Sequence, residues 1–265
     1  MSLYSRDYTK LTEEERITWE AMKQDEKIGT GRWRKRSRYR EYPKAARHFM
    51  SLFPNNFLDV EELREEDRLN HLTEKFLVEL DKPDATEASI MRFIKQNQAY
   101  FIIGSILKDH NFGHHEAYVI PEFWFGNTYR VDYLIIGKRS GGYEFILVEL
   151  EHPKKDITIK DGELGAAFRK GIKQINEWKR YLEPNFPTLE ESFNKYKHPN
   201  MELPREFLKL DKTRIHYTVV AGRREDFDEN TYWIQRNMKD NDKISLLHFD
   251  NLYDNVTEII GRSTY

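Results

Sequence analysis

Residues 143–157 read YEFILVELEHPKKDI. Phe145, Ile146, Leu147 and Val148 form the apolar run of a buried strand, and Pro153 ends it. The same strand carries Glu149 and Glu151 just before that proline. Glutamate is depleted in strands, and its charge is costly to bury without a partner. A fold for this chain must therefore neutralise two acids at one end of a core strand.

The flanking pattern supplies a setting. Thr86 or Asp84 caps an amphipathic helix through TEASIMRFIKQNQAYFIIGSIL, with Ile90, Phe93, Ile94, Tyr100 and Phe101 as its inner face. EAYVIPEFWFG is a strand closed by a turn at Gly126 and Asn127, and RVDYLIIG is a second strand. After the third strand, DGELGAAFRKGIKQINEWKRYL is a long helix with Leu164, Phe168, Ile172, Ile175, Trp178 and Leu182 on one face. Residues 183–212 read as a connection, TRIHYTVVAG as a fourth strand, and ISLLHFDNLYDNVTEII as a short strand and a helix capped by Asp250. Three successive strands suit a meander, and the helix before the fourth suits a crossover. The fold class expected is α/β, an α+β mixed sheet with the core order αβββαβ.

The hairpin between the second and third strands sharpens the problem. With Ser140 and Gly141 as a two-residue loop, Ile136 faces Phe145, Leu134 faces Leu147, and Asp132 faces Glu149. Alternation puts Glu151 on the same face, with side-chain origins roughly 5 to 8 Å apart. Three carboxylates this close need protonation or a cation. Two readings stay open: a hard divalent ion such as Mg²⁺ held among them, or a rim of solvated acids paired with Lys154 or Lys155.

Residues 1–82 form a charged, mainly helical N-terminal region, with LTEEERITWEAMKQ starting a helix at Thr12, and DKPDA marks the linker to a domain spanning 83–265. Within it, residues 31–47 interleave Arg34, Arg36, Arg38 and neighbouring basic residues with Trp33 and Tyr39. That run suits phosphate contact and base stacking, or packing on the acidic helix that follows. The net charge of the 265-residue chain is −2, so nucleic acid would have to be met by a local patch. The absence of cysteine excludes disulfides, thiolate metal sites and cysteine nucleophiles. No apolar run reaches membrane-span length, and the composition reads as a soluble cytoplasmic protein.

VIPEFWFG, RVDYLIIG, FILVELEHP and DGELGAAFRKGIKQINEWKRYL, followed by VVAGRREDF and LLHFDNLYD, resemble the nuclease domain of the Shedu anti-phage defence proteins, within the PD-(D/E)XK superfamily. The resemblance covers about residues 86–262. It implies a restriction-endonuclease-like core, a metal-dependent DNA endonuclease using Mg²⁺ or Mn²⁺, and a homo-oligomer, such as a tetramer. Carried over, Asp132, Glu149 and Glu151 bind metal and Gln174 joins the catalytic set. Glu87 and Glu122 are accessory candidates, and Arg223 and Arg224 are candidate phosphate contacts. Glu151 stands where most of the superfamily has lysine. The missing positive charge would then come from Lys154, Lys155, Lys160 or Arg224. The alternative is a catalytically degenerate nucleic-acid-binding or sensor domain that keeps the fold.

Overall fold

The computed structural model describes residues 2–26, 37–160 and 163–265. Arg34 and Arg36 lie outside the described residues. Within the N-terminal third, α1 (Glu13–Asp25) starts in a reciprocal cap between Thr12 and Glu15 and buries no residue. Helix α2 (Lys44–Phe49) and helix α3 (Glu66–Asp81) follow, and α3 buries Leu69, Leu72, Phe76 and Leu80.

Helix α4 (Glu87–Gln96) is capped by Thr86 as expected. It does not run on to residue 107. Gln98 adopts a left-handed conformation (φ 50°), and the short helix α5 (Phe101–Gly104) begins after it. Every residue of α5 is buried, so this segment is core on all sides and cannot extend the amphipathic face of α4.

Strands β1 (Glu116–Phe125), β2 (Tyr129–Arg139) and β3 (Gly142–Leu150) form the antiparallel meander. Helix α6 (Ala166–Asn185) crosses over to β4 (Ile215–Val220), which is parallel to β3. Helix α7 (Leu189–Asn194) lies in the stretch expected to be only a connection. Helix α8 (Glu229–Asp242), which the apolar pattern does not reveal, crosses to β5 (Ile244–Leu247). It buries only Thr231, so it has no apolar stripe to detect. The sheet order is β1-β2-β3-β4-β5.

Helix α9 (Phe249–Ile259) is capped by His248 rather than Asp250. Asp250 instead accepts from Arg223 at 2.8 Å and from the Arg224 backbone N–H at 2.8 Å. Among the described residues no helix is long and apolar enough to cross a membrane.

The core has two layers, one on each face of the sheet. Val119, Ile135, Ile146 and Val148 pack with α3, α4, α5 and α9, while Ile120, Leu134, Leu147 and Val219 pack with α6 and α7. The expected boundary at 82/83 falls between α3 and α4. Leu63, Leu69 and Phe76 nevertheless share a cluster with Ile90, Ile102 and Val148 across it.

Candidate active site

The hairpin register is as the sequence predicts. Arg139 faces Gly142, Ile136 faces Phe145, and Leu134 faces Leu147. The ladder closes at Tyr133–Val148, one pair short of Asp132 and Glu149. Beyond it the Asp132 side chain takes over: its Oδ2 accepts the Leu150 backbone N–H at 2.7 Å.

The cause lies next door in β1. Glu122 has φ +50° in mid-strand, and side-chain alternation shifts by one residue there. Tyr118 and Ile120 face the α6 layer before it, and Phe123 and Phe125 face that layer after it. β2 shifts in parallel, since Val131 and Leu134 face the α6 layer while Tyr133 faces the other. Asp132 sits at this switch, which is why extrapolating the register puts it one pair too far along the ladder.

Asp132, Glu149 and Glu151 are all buried. Burial, opposed by the Leu150 N–H bond and reinforced by Glu87, pushes the Asp132 carboxyl up to about 7. Burial, then Asp132, Glu151 and Glu87, pushes Glu149 up to about 9. Glu87, in the first turn of α4, is raised by burial and by Glu151 while Lys170 opposes the shift. The four acids thus form one electrostatic cluster drawn from α4, β2, β3 and the residue just after β3.

Among the described residues Arg130 opposes the charge of Asp132 and Glu87 from nearby, and Lys170 forms an ion pair with the cluster. Lys170 Nζ donates to Glu151 Oε2 at 2.9 Å from the first turns of α6. Two glycines set that helix in place. A side chain at Gly165, where α6 starts, would collide with the Asp156 carbonyl at 2.1 Å, and one at Gly171 would meet Val219 of β4 at 2.5 Å. Lys170 is absent from the sequence-based candidates. The available signal was its spacing: it precedes Gln174 by one helical turn and so shares its face.

Gln174 is half-buried on that face. Glu122 pairs with Arg130 at 2.8 Å and, with Glu87 and Asp132, lines a cavity of about 400 Å³ beside the cluster. Lys154, Lys155 and Lys160 are exposed. Arg223 is held by Asp250 at 2.8 Å and Asp81 at 2.7 Å, and Arg224 pairs with Asp254. Arg38 is held by Asp25 and Glu41.

Among the described residues no three acidic or histidine side chains are arranged so as to hold a metal ion as they stand. The donor chemistry fits one all the same. Glu149 Oε2 and Glu151 Oε1 are buried and have no hydrogen-bond partner among the described residues, and both are hard oxygens.

A family model for the C-terminal region of Shedu protein SduA matches residues 84–253. The chain belongs to this family. The matched stretch runs from the cap of α4 into α9 and contains every residue of the acidic cluster, whereas α1, α2 and α3 precede it. The Shedu family points to anti-phage defence. A search of curated proteins finds no match.

Proposed function

We propose that the chain is a divalent-metal-dependent DNA endonuclease of anti-phage defence, with a PD-(D/E)XK-type site. The observation that carries this reading is the pair of buried, unpartnered oxygens on Glu149 and Glu151, set beside Asp132 and faced by Lys170. Buried polar atoms are rarely left unsatisfied, and two such carboxylate oxygens two residues apart call for an explanation, which a bound ion supplies. Asp132, Glu149 and Glu151 would hold Mg²⁺ or Mn²⁺, which when bound activates water and neutralises charge on the phosphate.

The chain's own groups have separable tasks. The Leu150 N–H fixes the Asp132 carboxylate relative to β3. Lys170 supplies the positive charge that Glu151 cannot, at the place where charge develops on the phosphate. Its exposed side chain is tethered by Glu151 rather than buried, so it can shift toward a bound phosphate. Gln174, one turn on, offers an amide to orient the same group. DNA is the substrate, and assembly as a homo-oligomer belongs to the same proposal.

The test is nicking of supercoiled plasmid with Mg²⁺ or Mn²⁺, comparing wild type with Asp132→Asn, Glu149→Gln and Lys170→Ala. EDTA and both acid substitutions should abolish cleavage, and Lys170→Ala should slow it about 100-fold or more. A second reading, a nucleic-acid-binding domain without catalysis, is favoured by the acids not being arranged around a metal position as they stand. Plasmid that stays intact with every divalent ion, while DNA is still bound, would establish that reading instead.

A further inference from the structure

The cavity beside the acidic cluster lies between α4 and the β1–β2 ribbon. Arg92 and Lys95 line it from one face of α4, three residues apart. Both are exposed, and neither has a hydrogen bond or ion pair among the described residues. Arg130 lines it from β2, bonded to Glu122, and its guanidinium stands 5.8 Å from the centre of the Trp124 ring. Trp124 pairs directly with Arg130 across the ribbon and is 46 % exposed.

The left-handed Glu122 explains why this tryptophan is outside. Unbroken alternation would send residue 124 to the α6 layer with Tyr118 and Ile120, and the shift at Glu122 sends Phe123 and Phe125 there instead. Trp124 and Arg130 are thereby turned to the side where α4 lies. Backbone strain of this kind persists where it serves a site. What it achieves here is an exposed indole, a guanidinium beside it and two unpaired cations, all next to the acids.

Resting on the nuclease reading, we propose that this cavity and Trp124 form a subsite for unpaired nucleotides flanking the scissile phosphate. A base stacks on the Trp124 ring, and the neighbouring phosphates lie against Arg92, Lys95 and Arg130. An aromatic ring interleaved with cations is the recognition chemistry of single-stranded nucleic acid. A base inside a duplex has both faces covered and cannot use an exposed indole.

The experiment is fluorescence anisotropy of the full chain in EDTA, using a labelled single-stranded oligonucleotide and the matching duplex. Trp124→Ala should weaken single-strand binding about ten-fold, Trp124→Phe should restore most of it, and duplex binding should change less than about two-fold. Arg92→Ala with Lys95→Ala should lower the salt dependence of single-strand binding by about 1–2 in logarithmic slope. Single-strand affinity unchanged in both variants, or equal losses on single strand and duplex, would overturn the subsite. A wild-type protein that binds in this Trp124-dependent way but cleaves with no divalent ion would keep the subsite and overturn the nuclease reading.

Discussion

Strand β3 carries buried glutamates toward both ends, and the two ends treat them differently. Glu144, near the hairpin, is 3 % exposed. It meets Arg139 at 2.5 Å and His216 Nε2 at 2.9 Å. Glu149 is 5 % exposed, and Glu151, just past the strand, is 4 % exposed. Each of the three keeps a buried oxygen without a hydrogen-bond partner among the described residues, but that oxygen of Glu144 has the Arg139 ion pair, whereas Glu151 has one lysine on its other oxygen and Glu149 has no ion pair among the described residues. Depth of burial is therefore the same, and the difference is what the fold brings against the charge. At the hairpin end a cation and an imidazole meet the carboxylate, so its burial serves the structure. At the other end burial first, and then the neighbouring acids, raise the proton affinity of Asp132 and Glu149, so burying them costs stability and calls for an outside cation.

The sharpest way to break this contrast is to neutralise one acid at each end. Glu149→Gln should cut plasmid nicking by at least about 100-fold, and Glu144→Gln should leave nicking close to wild type once folding is matched. Equal losses from the two substitutions would erase the distinction.

Thermal unfolding should separate the ends in the opposite sense. Glu144→Gln weakens the hydrogen bond with His216 and removes the ion pair with Arg139, and should destabilise by about 1.5–3 kcal/mol. Glu149→Gln relieves repulsion in the metal-free protein and should raise Tm above pH 7, in the direction seen when functional strain is removed.

The pH dependence of that gain follows from linkage. The Asp132 and Glu149 carboxyls are raised in the folded state to about 7 and about 9. The folded state thus holds protons that the unfolded chain gives up at ordinary carboxyl pKa values. Stability from this end is fully present below those ordinary values and is lost as pH rises through about 7 and then about 9. The Tm advantage of Glu149→Gln over wild type should therefore grow from pH 5 to pH 9 when calorimetry is run in EDTA. An advantage independent of pH would place the cost elsewhere.

The smallest expected effect is that of the ion itself. Mn²⁺ at ten times its Kd should stabilise wild type by about 1.4 kcal/mol and leave Glu149→Gln nearly unmoved. An equal shift in both proteins would put the ion at another site.

Much of this arrangement is legible in the chain. The Ser140–Gly141 turn and the alternation of Leu134, Ile136, Phe145 and Leu147 specify the hairpin register, because both are local properties of the backbone. The same rules misplace Asp132 by continuing the ladder past the kink at Glu122, a residue whose left-handed conformation no propensity announces. The Arg223–Arg224 pair reads from sequence as a phosphate contact, yet Asp81 and Asp250 reach Arg223 from helices distant in sequence.

Sequence alone thus determined that two glutamates end a core strand next to an aspartate-bearing strand, and to which family the residues around them are similar. Only the tertiary structure decided what faces those acids. Lys170 lies 19 residues beyond Glu151 on a helix whose lysines all look like solvated surface, and close packing at Gly165 and Gly171 brings it there. Alternation and turn chemistry act over a few bonds, whereas the neutralisation of a buried charge depends on which helix docks against it and how closely.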